Sequence, residues 1–222
     1  MCHHYVSAKD PPPWVHLVPE FSERVDFGGW QQRAFWPLDD VPILRFDASG
    51  RHELAFLQWG LLPRWWKPSG NRVKPSGFQR KCVNAVSEEA AEKPSFREAL
   101  KERRCLMPAS EFAETVGREQ WFFHRPERKT FAIAALWERW RGGDDEVIET
   151  CTMLTTAANG TVSSVGQDRM PVIFTTPEQC SAWLNSDEAA RELMRPAADD
   201  LLQAYQPPPT ERPRPQTLFD FD

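Results

Sequence analysis

Residues 131–137 read Phe-Ala-Ile-Ala-Ala-Leu-Trp, and residues 147–155 read Val-Ile-Glu-Thr-Cys-Thr-Met-Leu-Thr. Both runs are apolar or rich in β-branched residues, a composition typical of strands. A third run of this kind, Gln120–His124, precedes them in the chain. Together the three runs predict consecutive strands of an antiparallel sheet.

A hairpin lies earlier in the chain. Residues 43–46 and 52–59 cluster or alternate as strands do, and the Asp-Ala-Ser-Gly sequence at residues 47–50 has the composition of a turn. Two more strands are expected on the way to Gln120. They cover residues 82–85 and a stretch that begins at Cys105 and carries Glu111, Phe112 and Glu114.

Helices are predicted at the periphery. Ser95 is a candidate N-cap, and Thr176 followed by Pro177 is a second one. A short connector at residues 159–165 is expected to form a helical turn. The predicted helices cover residues 95–104, 176–184 and 187–194, and a last short strand covers residues 201–205.

The order of these elements defines a fold class. Strands come first, helices are inserted among them, and a regular alternation of strand, helix and strand is missing. A chain of 222 residues with 41% hydrophobic residues can bury one substantial core. The sequence therefore predicts an α+β fold with a single domain, residues 1–206, built on an antiparallel, barrel-like β core with peripheral helices. Residues 207–222 are predicted to be a flexible, Pro-rich C-terminal tail.

Cysteine usage and hydropathy indicate the compartment. The five cysteines are odd in number, widely spaced and free of any Cys-x-x-Cys pair, so we expect free thiols, no metal site and no cofactor. No apolar run approaches the ~20 residues that a membrane-spanning helix needs, and the N-terminus lacks the features of a signal peptide. These features predict a cytoplasmic protein without a membrane partner.

Cys2 is the candidate nucleophile. Removal of Met1 would leave Cys2 with a thiol and a primary amine on adjacent carbons. This 1,2-aminothiol condenses with an aldehyde through its amine and then closes through sulfur into a thiazolidine ring. The α-amine titrates near ~7.7–8 and the thiol near ~8.5, so both retain a reactive fraction close to neutrality. The alternative is a frayed chain end on which Cys2 has no role.

A basic and aromatic cluster follows the hairpin. Net charge is −5, which by itself disfavours nucleic acid as a partner, but a local concentration of cations is the relevant footprint. Trp65, Trp66 and Phe78 are interleaved with cations, as in grooves that bind single-stranded nucleic acid. The alternative is a solvated loop. The cations of this cluster are Arg64, Lys67, Arg72, Lys74, Arg80 and Lys81.

Several segments, taken in order, resemble the SRAP family, which is named for SOS-response-associated peptidases and includes abasic-site processing proteins. Any one match is weak, but the ordered set is specific and extends from Met1 to about residue 195. The matching segments include Met1-Cys2, Trp59-Gly60-Leu61-Leu62-Pro63, Asn84-Ala85, Arg104-Cys105-Leu106-Met107-Pro108-Ala109, Leu136-Trp137-Glu138-Arg139-Trp140 and Asp168-Arg169-Met170-Pro171-Val172.

The resemblance implies a monomeric protein that traps abasic sites in single-stranded DNA covalently. The mature N-terminal Cys2 would form a thiazolidine with the ring-opened deoxyribose and would also remove Met1, and the historical peptidase label reflects a proposed proteolytic role. Asn84 corresponds to the family's active-site Asn and Glu114 to its catalytic Glu, whereas Glu111 stands three residues too early. Arg169 of the Asp-Arg-Met-Pro segment joins the cations of the basic cluster as an expected DNA contact.

Departures from the family pattern predict altered chemistry. The active-site His of the family is Gln167 here, which can hydrogen-bond a sugar hydroxyl but cannot shuttle a proton. Two Arg residues implicated in binding DNA phosphates are replaced by His4 and Val86. We expect the basic cluster to compensate for them, with Trp65 stacking on a base beside the lesion.

Two other functions remain open at this level. The substitutions at residues 86 and 167 could mark a noncatalytic module that binds single-stranded DNA or lesions. A cysteine peptidase acting on proteins is the other alternative.

The tail carries one further motif. Residues Gln216–Phe221 resemble the short Gln-x-Leu-Phe peptides with which bacterial DNA proteins bind the sliding clamp. The alternative is a tail that folds back on the domain or has no role.

Overall fold

The computed structural model of the chain describes residues 2–8, 16–21, 32–47, 49–68, 74–143 and 146–207. The strands are β1 His4–Ser7, β2 Ala34–Phe35, β3 Asp40–Phe46, β4 His52–Trp59, β5 Asn84–Val86, β6 Arg104–Val116, β7 Glu119–His124, β8 Phe131–Arg141, β9 Val147–Ala157, β10 Arg169–Pro171, β11 Ile173–Phe174 and β12 Gln203–Tyr205. The α-helices are α1 Pro75–Gln79, α2 Arg97–Glu102, α3 Gly160–Ser163, α4 Pro177–Asn185 and α5 Asp187–Leu193, and 3₁₀ turns cover Pro19–Phe21, Pro126–Arg128 and Asp199–Leu201.

Five of the strands close into a barrel. In the order β8, β9, β4, β3 and β6, each strand pairs with the next, and β6 returns to pair with β8. Long antiparallel ladders make most of this ring, with β8 opposite β9 from residues 135 to 141 and β6 opposite β8 from residues 104 to 109. The predicted α+β fold with a barrel-like β core is confirmed.

Two pairings with β9 are parallel. Gln58 and Trp59 at the end of β4 pair with Thr150 and Cys151, and β5 pairs with residues 153–155. The sheet is therefore mixed, whereas the sequence predicted antiparallel strands. Both parallel contacts join segments far apart in sequence, and local patterns contain no signal for the direction of such a pairing.

Alternation along the barrel strands fills two apolar layers. On β8, Ile133 and Ala135 join the cluster inside the barrel, whereas Ala134 and Leu136 join a second cluster beneath the helices. The second cluster contains Trp183 of α4, whose indole Nε1 donates to the carbonyl of Cys105 at 2.9 Å. This alternation explains why the run at residues 131–137 is apolar throughout, because both of its faces are covered.

Helix caps followed the sequence in one case and departed from it in another. Thr176 caps α4 in a capping box with Gln179, as predicted. Ser95 does not cap α2. That helix begins after Phe96, without a side-chain cap, and ends at Glu102, two residues before the predicted end. Phe96 stands at the N-cap position of α2, and its ring is buried.

Three sequence predictions concern cysteines, membranes and the tail. All five cysteines are free and buried. Within the described ranges, every helix is too short or too polar to cross a bilayer. Residues 208–222 lie outside the described part of the chain, so the tail and its Gln216–Phe221 peptide stay predictions.

Candidate functional site

Cys2 lies two residues before β1, which pairs with the barrel strand β6. Its side chain is 0% exposed, and its thiol lies 3.4 Å from the carbonyl oxygen of His4 and 3.6 Å from that of Ala113. The strand β1 pairs with β6 so that His4 stands opposite Ala113. This register places the thiol beside the segment of β6 that carries Glu114.

Asn84 contacts the same residue from the other side. It is the first residue of β5, and its Nδ2 donates to the carbonyl oxygen of Cys2 at 2.7 Å. Its Oδ1 is buried without a hydrogen-bond partner among the described residues. Because an unsatisfied buried acceptor is costly, this oxygen is suited to receive a hydrogen bond from a bound molecule.

Glu114 is a buried carboxyl next to the thiol. Its side chain is 2% exposed, and burial raises its pKa to about 7, with a further contribution from the charge of Asp168. Burial, and then the charge of Glu114, raise the pKa of the Cys2 thiol well above its usual range. Near neutrality the thiol is therefore protonated, and Glu114 is divided between its acid and its carboxylate.

Gln167 reaches the same strand one residue further on. Its Nε2 donates to the carbonyl oxygen of Thr115 at 2.8 Å. The four predicted catalytic residues therefore lie on adjoining segments, with Cys2 in direct contact with Asn84 and close to Glu114, and Gln167 bound beside Glu114. Side-chain amides at residues 84 and 167 supply hydrogen bonds, so Glu114 is the member of this group that can exchange a proton near neutrality.

Glu111 belongs to a separate hydrogen-bonded group. It accepts from the hydroxyl of Tyr205 at 2.5 Å and from Arg128 at 3.2 Å. These contacts connect β6 to the last strand β12 and leave Glu111 on the side of β6 away from Cys2, as its spacing from Glu114 requires.

The residues of the predicted basic cluster differ in exposure and in whether they form ion pairs. Arg64 is bound to the buried carboxylate of Glu138 at 2.7 Å, and Arg72 lies outside the described residues. Trp65 is 53% exposed, whereas Trp66 is buried against Trp140. The exposed cations that form no ion pair with another described residue are Lys67, Lys74, Arg80 and Lys81.

A pocket of about 250 Å³ lies beside Trp65. Its lining combines Pro63, Pro94 and Trp65 with three acidic side chains and two arginines, and both arginines are already bound to glutamates. Such a lining disfavours a phosphate group, so the cations suited to phosphates are the exposed ones outside the pocket.

Arg169, a predicted DNA contact, is paired with a carboxylate of the protein, and its role in DNA binding stays a prediction. Its two terminal nitrogens donate to the two carboxylate oxygens of Glu88 at 3.0 and 2.8 Å. Neither Glu88 nor Glu138 was predicted from the sequence as a partner of an arginine. The available signals were their positions beside Asn84 and in the Leu-Trp-Glu-Arg-Trp segment, but neither position identifies a partner.

The raised pKa of Glu114 predicts a pH-dependent cost to stability. The folded chain binds this proton more tightly than the unfolded chain, whose carboxyl titrates near its ordinary value of 4.5. Stability should therefore fall as pH rises from about 4.5 to about 7, and the cost should be complete above pH 7. We expect Glu114→Gln to raise the free energy of unfolding at pH 8 by up to about 3 kcal/mol, and to have little effect near pH 4. Urea unfolding at the two pH values measures this, and an equal effect at both would contradict the assignment.

Comparisons with known proteins identify the relatives of this chain. The family model for SOS response associated peptidase (SRAP) matches residues 1–208. The abasic site processing protein YoqW of Bacillus subtilis is 33% identical over 185 residues, which cover 77% of this chain and 75% of that protein. The abasic site processing protein HMCES of Pongo abelii is 28% identical over 194 residues, which cover 70% of this chain and 53% of that protein.

Solved structures share the fold. A crystal structure from Bordetella bronchiseptica has a TM-score of 0.72 at 25% identity, with 93% of this chain and all of that chain covered. A crystal structure from Bacteroides thetaiotaomicron has the same TM-score at 23% identity, with coverage of 92% and 91%. The match of the family model over nearly the whole sequence shows that this chain belongs to the SRAP family.

Proposed function

We propose that this chain processes abasic sites and captures them in single-stranded DNA as a thiazolidine on Cys2, after removal of Met1. The observation that carries the proposal is the clamp on Cys2, in which the amide of Asn84 binds the Cys2 carbonyl at 2.7 Å while the thiol lies beside Glu114. The names of the relatives, abasic site processing proteins, support the same substrate.

The proposed reaction joins one aldehyde and one aminothiol and releases one water. The amine of Cys2 attacks C1′ of the ring-opened sugar, and the resulting carbinolamine loses hydroxide with a proton to give an imine. The sulfur of Cys2 then bonds to the imine carbon while the thiol proton passes to the nitrogen. Carbon therefore keeps its oxidation state, and no redox partner is required.

Glu114 is suited to the proton transfers in this sequence. A group with a pKa of about 7 accepts a proton from an ammonium or thiol and returns it to a departing hydroxyl at similar cost near neutral pH. The neutral form would assist loss of water from the carbinolamine. The carboxylate form beside Cys2 would then accept the thiol proton when sulfur attacks the imine.

Removal of Met1 is part of the proposal, since the amine of Cys2 lies in a peptide bond until that residue is cleaved. Hydrolysis of this bond consumes one water and releases methionine. Cys2 and Glu114 are again the nucleophile and the proton carrier in reach. The peptidase name of the family is consistent with this step.

Single-stranded DNA is proposed to lie along the exposed cations of the basic cluster. Lys67, Lys74, Arg80 and Lys81 are accessible to phosphates, and Trp65 offers an exposed face on which an unpaired base can stack. Each base stacked on an aromatic side chain contributes roughly 1–3 kcal/mol, independently of sequence.

A denaturing gel separates covalent capture from binding. The mature protein mixed with single-stranded DNA that carries an abasic site should give a slowly migrating band, and Cys2→Ala should abolish it. Intact mass first establishes that Met1 is absent. As a matched control, Cys180→Ala removes a buried thiol remote from Cys2 and should leave the band unchanged. Binding without a shifted band would instead favour the noncatalytic module.

Gln167 is proposed to limit the rate of sugar ring opening. General acid–base assistance typically contributes ~10²–10⁴ in rate, and an amide supplies none. We expect Gln167→His to raise the rate of crosslink formation or reversal by about tenfold or more. Gln167→Leu, which removes the amide and its bond to the Thr115 carbonyl without adding a proton carrier, is the control and should not raise either rate. Unchanged rates in the His variant would remove this explanation.

Charge reversal tests whether the basic cluster compensates for the two family Arg residues that His4 and Val86 replace. The double variant Arg72→Glu and Lys74→Glu should weaken binding to single-stranded DNA and flatten its dependence on salt, by roughly one unit of slope for each phosphate that the variant no longer binds. Fluorescence anisotropy in the Cys2→Ala background measures both quantities without covalent capture. The double variant Arg191→Glu and Arg195→Glu, at exposed positions in and just after α5, changes net charge by the same amount and is the control. Equal losses of affinity in the control and test variants would exclude a localised phosphate site.

A further inference from the structure

We propose that the pocket beside Trp65 receives an unpaired base of the bound strand and favours bases that carry an exocyclic amino group, with Glu98 as the acceptor for that group. This preference deepens the proposed function and rests on it, because it concerns the base that stacks on Trp65. Stacking supports every base, so the pocket adds a modest preference to binding that otherwise tolerates any sequence.

The size and the walls of the pocket fit one aromatic ring. Its volume is about 250 Å³, just below the roughly 300–1,000 Å³ of pockets for drug-sized ligands. Trp65 forms one wall and is 53% exposed, and its indole Nε1 donates to the carbonyl oxygen of Pro94 at 3.0 Å. Pro63 and Pro94 supply apolar contacts. A planar base fits beside these walls and leaves its polar edge to the charged side chains of the lining.

The charged side chains of the lining favour a ligand that donates hydrogen bonds. Three carboxylates stand against two guanidinium groups, and both guanidinium groups are already bound to glutamates. An exocyclic amino group of a base has two N–H donors and no negative charge, so it suits this lining where a phosphate does not. A carbonyl oxygen at the same place would bring its lone pairs against those of the carboxylates.

Glu98 is the carboxylate of the lining that is available to a ligand. Glu138 already accepts from two arginine side chains and from the backbone N–H of Arg139, and Glu102 is bound to Arg103. Glu98 is exposed, and its Oε1 lies 3.5 Å from Nε of Arg97. Glutamate and aspartate accept hydrogen bonds from the amino group of cytosine in protein–DNA complexes.

The buried part of the lining holds a donor that lacks an acceptor. Arg103 is 4% exposed, and its Nε is buried without a hydrogen-bond partner among the described residues. Because an unsatisfied buried donor is costly, this nitrogen indicates a ligand that brings an acceptor. Cytosine and adenine carry an accepting ring nitrogen beside the amino group. In uracil and hypoxanthine that nitrogen is protonated, and a carbonyl oxygen replaces the amino group.

The pocket is connected to the candidate catalytic residues by a short segment of chain. The hydroxyl of Ser95, which lines the pocket, is hydrogen-bonded to the thiol of Cys82. Two residues, at most ~7 Å of chain, lead from Cys82 to Asn84, whose amide binds the carbonyl oxygen of Cys2. A base close to the lesion is therefore within reach of Trp65 when the abasic sugar lies at Cys2.

Fluorescence anisotropy with matched oligonucleotides tests the preference. The full chain carries Cys2→Ala, and the DNA carries a tetrahydrofuran abasic analogue without an aldehyde, so only noncovalent binding is measured. The other bases of the strand are all cytosine, uracil, adenine or hypoxanthine. We expect cytosine to bind more tightly than uracil, and adenine more tightly than hypoxanthine, by about three- to tenfold, the effect of one net hydrogen bond. A single cytosine moved along a uracil strand should restore the tighter binding at one distance from the analogue.

Variants assign the preference to the pocket. Glu98→Gln should reduce both affinity ratios to less than about twofold. This variant also removes a negative charge and raises the affinity for every oligonucleotide, an effect that cancels in the ratio of matched bases. Glu92→Gln, at an exposed carboxylate outside the pocket lining, is the matched control and should leave both ratios unchanged. Trp65→Ala should weaken the binding of all four strands.

Equal affinities for the matched bases would overturn the proposal, as would ratios that persist in Glu98→Gln or affinities that Trp65→Ala leaves unchanged. None of these results bears on covalent capture, which the denaturing gel tests by itself. Conversely, a base preference that Glu98→Gln removes, in a protein that forms no crosslink, would refute the capture and support the pocket.

Discussion

The pairing of β1 with β6 is the constraint on which the candidate site depends. A residue next to a chain end is ordinarily frayed, because few contacts restrain it. Here the strand after Cys2 lies between β2 and β6, and the ring of Tyr5 is buried inside the barrel. His4 adds a second restraint, since its ring stacks on Trp36 at 4.7 Å. These contacts restrain the segment that follows Cys2, as the proposed reaction at the second residue requires.

Burial raises the pKa values at the candidate site and also lowers the stability of the folded chain. Removal of water raises the pKa of both the Cys2 thiol and the Glu114 carboxyl, so near neutrality the thiol holds its proton and the carboxyl is partly protonated. A buried ionisable carboxyl and a buried amide oxygen without a partner among the described residues both lower the stability of the folded chain. Sites that bind or react commonly retain such unfavourable groups, because the substrate supplies what they lack. The apolar ladders of β6, β8 and β9 offset that cost elsewhere in the barrel.

Prediction from the sequence succeeded where local pattern decides the structure and failed where distant partners decide it. The runs at residues 131–137 and 147–155 formed the central ladder of the barrel, since the first is apolar on both faces and the second is rich in β-branched residues. No local sequence pattern indicated that β5 pairs in parallel with β9. Ser95 was a reasonable cap on composition, but the ring of Phe96 is buried and the hydroxyl lies against the Cys82 thiol instead. The order of the family motifs predicted that Cys2, Asn84 and Glu114 share one site. No pattern in the sequence identified the carboxylate partners of the arginines.

The carboxylate partners of the arginines reduce the positive charge that is available to DNA. Arg64 is bound to Glu138 and Arg169 to Glu88, so two guanidinium groups that the sequence offered to phosphates are neutralised within the protein. The exposed remainder is mainly lysine, a flexible point charge without the bidentate geometry of arginine. Four such contacts on a single strand imply a salt slope of about −3 and modest affinity at physiological ionic strength. In the proposed function, weak and sequence-independent binding suffices, because the bond between sulfur and carbon retains the lesion once the aldehyde has been found. Noncovalent affinity then determines how fast the protein finds a lesion on DNA. The contacts that hold Cys2 determine whether the covalent bond forms.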